Sequence, residues 1–268
     1  MGRLQEVYKY DMVKARHYAK APIKEALIDI KFKLPPDVTP LTLSSIFRKV
    51  SDDYPQVENT LSVENKSDLK VGQSVLNQTK TSFTGSRFLN HDGNQIFQAR
   101  TDGFTFSRLS PYEDWQSMRK EAQKLLNVYV EHTKAQEITQ ITVRYINKLA
   151  LPLPMQDFSV YLRTVPDISA DLPQGVSDYL MQLRIPDQEI DGLISITEAI
   201  FPKEQQEKEF LSVLLDIGLS CNASFKMDAS TDTTTNLSDC WEFLEKLHVR
   251  KNDVFEACIT DKTRELIS

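Results

Sequence analysis

Apolar and polar residues alternate most clearly over residues 139–149. Ile141, Val143, Tyr145 and Leu149 fall on one face; Thr142, Arg144, Ile146 and Lys148 fall on the other. That period of two predicts a β-strand with one face in the core. A second such strand is predicted over 25–33, where Ala26, Ile28, Ile30 and Phe32 alternate with Leu27, Asp29, Lys31 and Lys33. Pro35-Pro36 ends it, because proline cannot donate to a strand ladder. Short strands are predicted over 85–89, 95–100 and 103–108. Asp-Gly pairs at 92–93 and 102–103 supply the tight turns between them. A further strand is predicted over 57–63, and 60–84 is polar enough to hold a mobile loop.

Helical spacing appears in three places. Ile46, Phe47 and Val50 predict a short helix over 41–50, ended by Tyr54-Pro55. Trp115, Met118, Ala122, Leu125, Leu126 and Tyr129 predict a long helix, with Ser110 as N-cap, Pro111 as first helical residue and Glu113 as the capping-box partner. Trp241, Leu244, Leu247, Phe255 and Ile259 predict a final helix from about Ser238. Before it, strands are predicted over 158–164, 177–185, 191–201 and 210–221, and 228–236 reads as a polar loop. An antiparallel meander followed by a long helix therefore occurs twice. The expected fold is α+β, with antiparallel sheets each followed by a long packing helix, in two roughly similar halves. The expected boundaries are an N-terminal arm over 1–20 and halves over 21–150 and 151–268, or one continuous domain.

Composition narrows the function classes. The 268 residues are 40% hydrophobic and 26% charged, an ordinary globular balance. The formal net charge of −6 lacks the basic footprint of a nucleic-acid binder. The basic run Lys14, Arg16, Lys20 and Lys24, with Tyr8, Tyr10 and Tyr18 among it, leaves a nucleic-acid-binding arm as a minor alternative. Three widely spaced cysteines (Cys221, Cys240, Cys258) make no disulfide framework and suit reduced thiols in the cytoplasm. No apolar run reaches the roughly 20 residues that span a bilayer.

Candidate chemistry is sparse. The histidines (His17, His91, His132, His248) lack ligand spacing, and there is no C-x-x-C, G-x-S-x-G or phosphate-loop motif. No catalytic residue, metal site or cofactor is expected. Glu198 and Asn147 interrupt otherwise apolar strand faces, and a polar group there must be paired or hydrogen-bonded. With Glu25 and Arg144 they form a candidate pocket lining or a structural polar cluster.

Three segments together carry a resemblance: Ala21-Pro22-Ile23-Lys24-Glu25-Ala26, Arg144-Tyr145-Ile146-Asn147, and the ending from Trp241 with Asn252-Asp253-Val254-Phe255 and Ile259-Thr260. In order and spacing the chain resembles a sporadically distributed prokaryotic family of uncharacterised proteins. The resemblance brings no activity and no site residues. Its patchy distribution implies mobile genes, such as antiviral defence or toxin–antitoxin modules. The function expected is a non-enzymatic, cytoplasmic protein-interaction module serving as accessory or regulatory subunit of such a system. The alternative is a small-ligand-binding or enzymatic pocket between the sheet and the long helices. A protein partner is expected and self-association is allowed. A membrane is not expected, and nucleic acid is disfavoured.

Overall fold

A computed structural model describes residues 16–68, 76–155, 157–200, 209–228 and 230–268, and of 61–82 the backbone alone. Its frame is one nine-stranded sheet. In chain order the strands are β1 (Ile23–Lys33), β2 (Gln56–Asp68), β3 (Leu76–Leu89), β4 (Gln95–Arg100), β5 (Gly103–Leu109), β6 (Glu137–Pro152), β7 (Tyr179–Asp187), β8 (Gly192–Ile200) and β9 (Phe210–Lys226). Their spatial order is β2-β3-β4-β5-β1-β6-β9-β8-β7, and every pairing is antiparallel. The mixed α+β class and the antiparallel sheet follow the alternation seen in the sequence. The strand read over 139–149 is β6, which sits between β1 and β9 at the centre of the sheet.

Among the described residues six helices accompany the sheet: α1 (Pro40–Ser44), α2 (Phe47–Val50), α3 (Trp115–Thr133), α4 (Thr233–Asn236), α5 (Ser238–Cys258) and α6 (Asp261–Ile267). α1 packs on β3 and β4, α3 on β5, and α5 on β6 and β9. Alternate strand residues fill the space beneath them, among them Ile28, Ile30, Phe97, Phe104, Val143, Leu215 and Ile217, all fully buried. Burying each such side chain contributes about 1.5–3 kcal/mol, so this face holds the fold together. An aromatic row crosses it. Phe88 and Phe97 lie 5.2 Å apart, Phe97 and Phe104 5.3 Å, and Phe104 meets Tyr129 of α3 at 6.0 Å.

Several boundaries differ from the sequence reading. Ser110 does not cap α3. Asp114 does, accepting from the Ser117 amide at 2.7 Å, and the helix starts at Trp115. Ser110 instead donates its backbone N–H to Lys24 O at 2.9 Å, which ties it to β1. Glu113 binds Arg108 at 2.9 Å and the Ser117 hydroxyl at 3.0 Å rather than turning back to Ser110. The helix expected over 41–50 is two short pieces, α1 and α2. The final helix is also two, because Ile259 is extended, bridges Leu162, and hands over to Thr260 as the cap of α6. Residues 158–160 form a 3-10 turn held by Asp157 accepting from Ser159 N, where a strand was expected over 158–164.

The polar stretch expected to hold a loop over 60–84 is strand over 60–68 and 76–84; 69–75 lie outside the described residues. The polar loop over 228–236 contains the short helix α4. Of the N-terminal arm over 1–20, residues 1–15 lie outside the described residues. The segment from Arg16 to Lys20 touches the C-terminal helices. Lys20 N donates to Ile267 O at 2.9 Å, and the Tyr18 ring meets Phe255 of α5 edge-on at 6.4 Å.

Candidate functional site

The four polar residues singled out in the sequence lie on two faces of the sheet. Glu25 and Arg144 point to the face without helices. There Arg144 forks onto Asp216, its Nε at 2.8 Å from Oδ1 and its Nη2 at 2.5 Å from Oδ2. The Arg144 side chain is 46% exposed and that of Asp216 11%, so the pair ties adjacent strands with its guanidinium at the surface and its carboxylate largely covered. Asn147 and Glu198 point to the helix-covered face. Asn147 donates from Nδ2 to Leu215 O at 3.0 Å, which satisfies it inside the sheet. Glu198, on β8, accepts a short hydrogen bond from the Tyr179 hydroxyl, and burial raises its carboxyl above the usual range. The four do not converge. Asn147 alone of them lines the cavity described next.

That cavity, of about 560 Å³, opens at one end of the helix-covered face. Four pieces of chain build it. The β-bulge between Ile23 and Glu25 brings the start of β1 against Asn147. The turn from Ser110 carries Tyr112 and Trp115 to the head of α3. Tyr145 rises from β6, and His248, Lys251 and Asn252 descend from α5. The segment from Arg16 to Ala21 forms the rim.

A chain of hydrogen bonds runs along the wall. Lys251 Nζ donates to Asn252 Oδ1 at 2.6 Å. Asn252 Nδ2 faces His248 Nε2 at 3.4 Å, and His248 Nδ1 faces the Tyr145 hydroxyl at 3.4 Å. The Tyr145 and Tyr112 hydroxyls are 2.9 Å apart. The asparagine amide can only donate to Nε2, so Nδ1 carries the imidazole proton and donates to Tyr145. Tyr145 in turn donates to Tyr112. This assignment leaves the Tyr112 proton without an acceptor among the described residues. Burial and the nearby Lys251 hold His248 neutral by lowering its pKa to about 3. Burial also pushes the phenols up, Tyr112 to about 12 and Tyr145 further. The His248 imidazole stacks flat on the Trp115 indole, 4.3 Å between centroids at 3°. Trp115 Nε1 is held by Glu245 at 2.8 Å.

Lys251 is the unusual member. It is 6% exposed, and among the described residues no carboxylate lies within ion-pair distance of its Nζ. Besides Asn252 it has the face of the Tyr145 ring, 3.6 Å from Nζ to the centroid. Burial lowers its pKa to about 7. The acidic groups around the cavity are already engaged. Glu256 holds Arg264 at 2.7 Å and Tyr18 at 2.5 Å, Glu113 holds Arg108, and Asp114 caps α3. Such an amine can bind an anion as its ammonium, or accept a proton as its free base, near neutral pH.

Composition and motif had no means of pointing to Lys251, but helical spacing did. Leu244, Leu247, Lys251, Val254 and Cys258 form the buried stripe of α5, and the lysine stands in it where an apolar residue belongs. Among the described residues no group of three His, Cys, Asp or Glu side chains is placed to hold a metal ion. No described helix is long and apolar enough to cross a membrane. Scanned against models of known protein families the chain matches none, and no curated protein is significantly similar to it.

Proposed function

We propose that this protein is a binding protein for a small organic molecule, held in the cavity between β1, β6, α3 and α5. The observation that carries this reading is the combination of a concave cavity, aromatic walls and a buried amine that has no carboxylate partner among the described residues. Ligand sites are concave, largely apolar, and carry a few placed polar groups. Here Tyr112, Trp115, Tyr145 and His248 supply the walls, and Lys251 supplies the polar anchor. The two halves of the chain act in this reading as one scaffold: β1, β6 and α3 come from the first and α5 from the second.

The test is a thermal-shift screen of a metabolite library against the wild type and Ala21→Trp, whose indole would fill the rim of the cavity. Compounds that stabilise the wild type but not Ala21→Trp support the reading. If every stabilising compound acts equally on both, or none stabilises the wild type, the reading fails.

A second reading, a protein-interaction module, is favoured by the outer edge of β7, which pairs with no further strand among the described residues. Leu180 is 75% exposed and Ile185 44% exposed on this terminal strand, and an unpaired edge is a template for another strand. A role as accessory subunit of a prokaryotic defence or toxin–antitoxin system rests on the family resemblance alone. Light scattering with and without Leu180→Lys tests the edge. Self-association that the charge abolishes supports it, and a wild-type monomer at all concentrations counts against it.

A further inference from the structure

The chemistry of the ligand can be taken one step further, resting on the pocket reading above. An ammonium has three N–H donors and no acceptor. Lys251 spends one on the amide oxygen of Asn252 and offers its charge to the face of a tyrosine. Both partners are neutral. A buried cation without an opposite charge is costly, and natural interiors pair such groups. The neighbouring charge pairs show that the fold does so elsewhere at this site, with Glu256 on Arg264 and Glu113 on Arg108. The hydrogen-bond chain adds a second donor. Its direction, set by the Asn252 amide, turns the Tyr112 proton to the cavity wall, where no described residue accepts it.

We propose that the cavity binds an oxyanion, a carboxylate or a phosphate carried on a small organic molecule, which receives hydrogen bonds from the Lys251 ammonium and the Tyr112 hydroxyl. Charge-assisted hydrogen bonds of this kind are short and strong, and they discriminate against neutral analogues. The organic part of the ligand lies among the aromatic side chains of the wall.

The proposal carries a proton linkage. In the free protein Lys251 titrates near pH 7, and a bound anion favours its charged form and raises that value. Binding above pH 7 therefore takes up a proton, and affinity falls by up to about tenfold per pH unit until the pKa of the complex is reached. The other titratable groups that face the cavity are His248 and Glu256 from α5, Tyr145 from β6, Tyr112, Glu113 and Asp114 ahead of α3, and Arg16, His17, Tyr18 and Lys20 along the rim. His248 is held neutral by its lowered pKa, and the three tyrosines are pushed upward. His17 is exposed at the mouth, so the pH series belongs in a His17→Gln background.

Calorimetry with three probes decides the question. Benzoate presents a carboxylate, phenyl phosphate a phosphate, and benzamide a neutral group of similar shape. We expect at least one anion to bind at least tenfold more tightly than benzamide. Lys251→Met should lose that preference and Tyr112→Phe should weaken it severalfold. The anion that wins identifies the acid group. Methionine keeps the length and apolar body of the lysine, so Lys251→Met should fold, and near-UV circular dichroism verifies this. If benzamide matches the anions in the wild type, or Lys251→Met keeps the preference, the oxyanion inference is overturned and the pocket reading stands. If none of the three binds, the inference is also overturned, and the library comparison with Ala21→Trp decides the pocket reading separately.

Discussion

Two buried ionisable side chains stand five residues apart on α5 and are treated in opposite ways. Glu256 is 4% exposed and Lys251 is 6% exposed. Glu256 is surrounded: Arg264 Nε at 2.7 Å, and the Tyr18 hydroxyl at 2.5 Å. It binds α5 to α6 and to the N-terminal segment, and all three elements need it. Lys251 has a neutral amide and an aromatic face, and it lines a cavity. The fold can satisfy a buried charge and does so at Glu256. Among the described residues Lys251 has only neutral partners, and in the pocket reading proposed above its counter-charge arrives with the ligand.

The contrast can be broken at either end. The largest effect is expected at Glu256. Glu256→Ala leaves Arg264 without its buried partner and should cost about 3–5 kcal/mol, read as a lowered midpoint in urea unfolding. An unchanged midpoint would remove Glu256 as the structural tie.

Lys251→Met should have the opposite sign. It removes a poorly paired buried amine and should raise the midpoint at pH 7. It should also remove a pH dependence. Burial lowers the folded-state pKa of Lys251 to about 7, below the 10.5 of an ordinary lysine, so the unfolded chain binds more protons between these values. Stability from this group therefore rises with pH across that window, by up to about 1.4 kcal/mol per unit, and is at its lowest below pH 7. In Lys251→Met this part of the slope should vanish. A destabilised variant with the slope intact would contradict the account.

Tyr145→Phe should be milder. It cuts the hydrogen-bond chain between His248 and Tyr112 and should cost about 1 kcal/mol, measured in the same assay. It should also weaken benzoate or phenyl phosphate by freeing Tyr112 to turn. Arg144→Ala should matter least. Its guanidinium is half exposed on the face without helices, so water reaches Asp216 once it is removed; a loss under about 1 kcal/mol and unchanged ligand binding are expected.

Much of the fold is legible because it rests on periodicity. The alternation Ile141, Val143, Tyr145 places β6 in the middle of the sheet, and the Asp-Gly turns place the β3-β4-β5 meander. The misses have local causes. The Ser110-Pro111 pair imitates a helix start, but Lys24 O takes the Ser110 N–H and Asp114 is the oxygen within reach of Ser117. The site was legible only in its outline. Asn147 and Glu198 stood out because they interrupt strands, where every second residue is accounted for. Both turned out to be satisfied within the fold, by Leu215 O and by Tyr179. Lys251 interrupts a helix stripe, and a lysine in the run Arg250-Lys251-Asn252-Asp253 looks like part of a solvated face. Its place in the stripe of Leu244, Leu247, Val254 and Cys258 is the one local sign of its burial, and the cavity beside it depends on where Tyr145 and the N-terminal segment come to lie.

The most direct measurement is the titration of the Lys251 side chain itself, by NMR of the carbon-labelled lysine ε position, assigned through its loss in Lys251→Met. The account predicts a midpoint near pH 7 in the free protein, moving upward when the cavity is saturated with the anion that binds. A midpoint at the ordinary lysine value of about 10.4, unmoved by any anion, would contradict it.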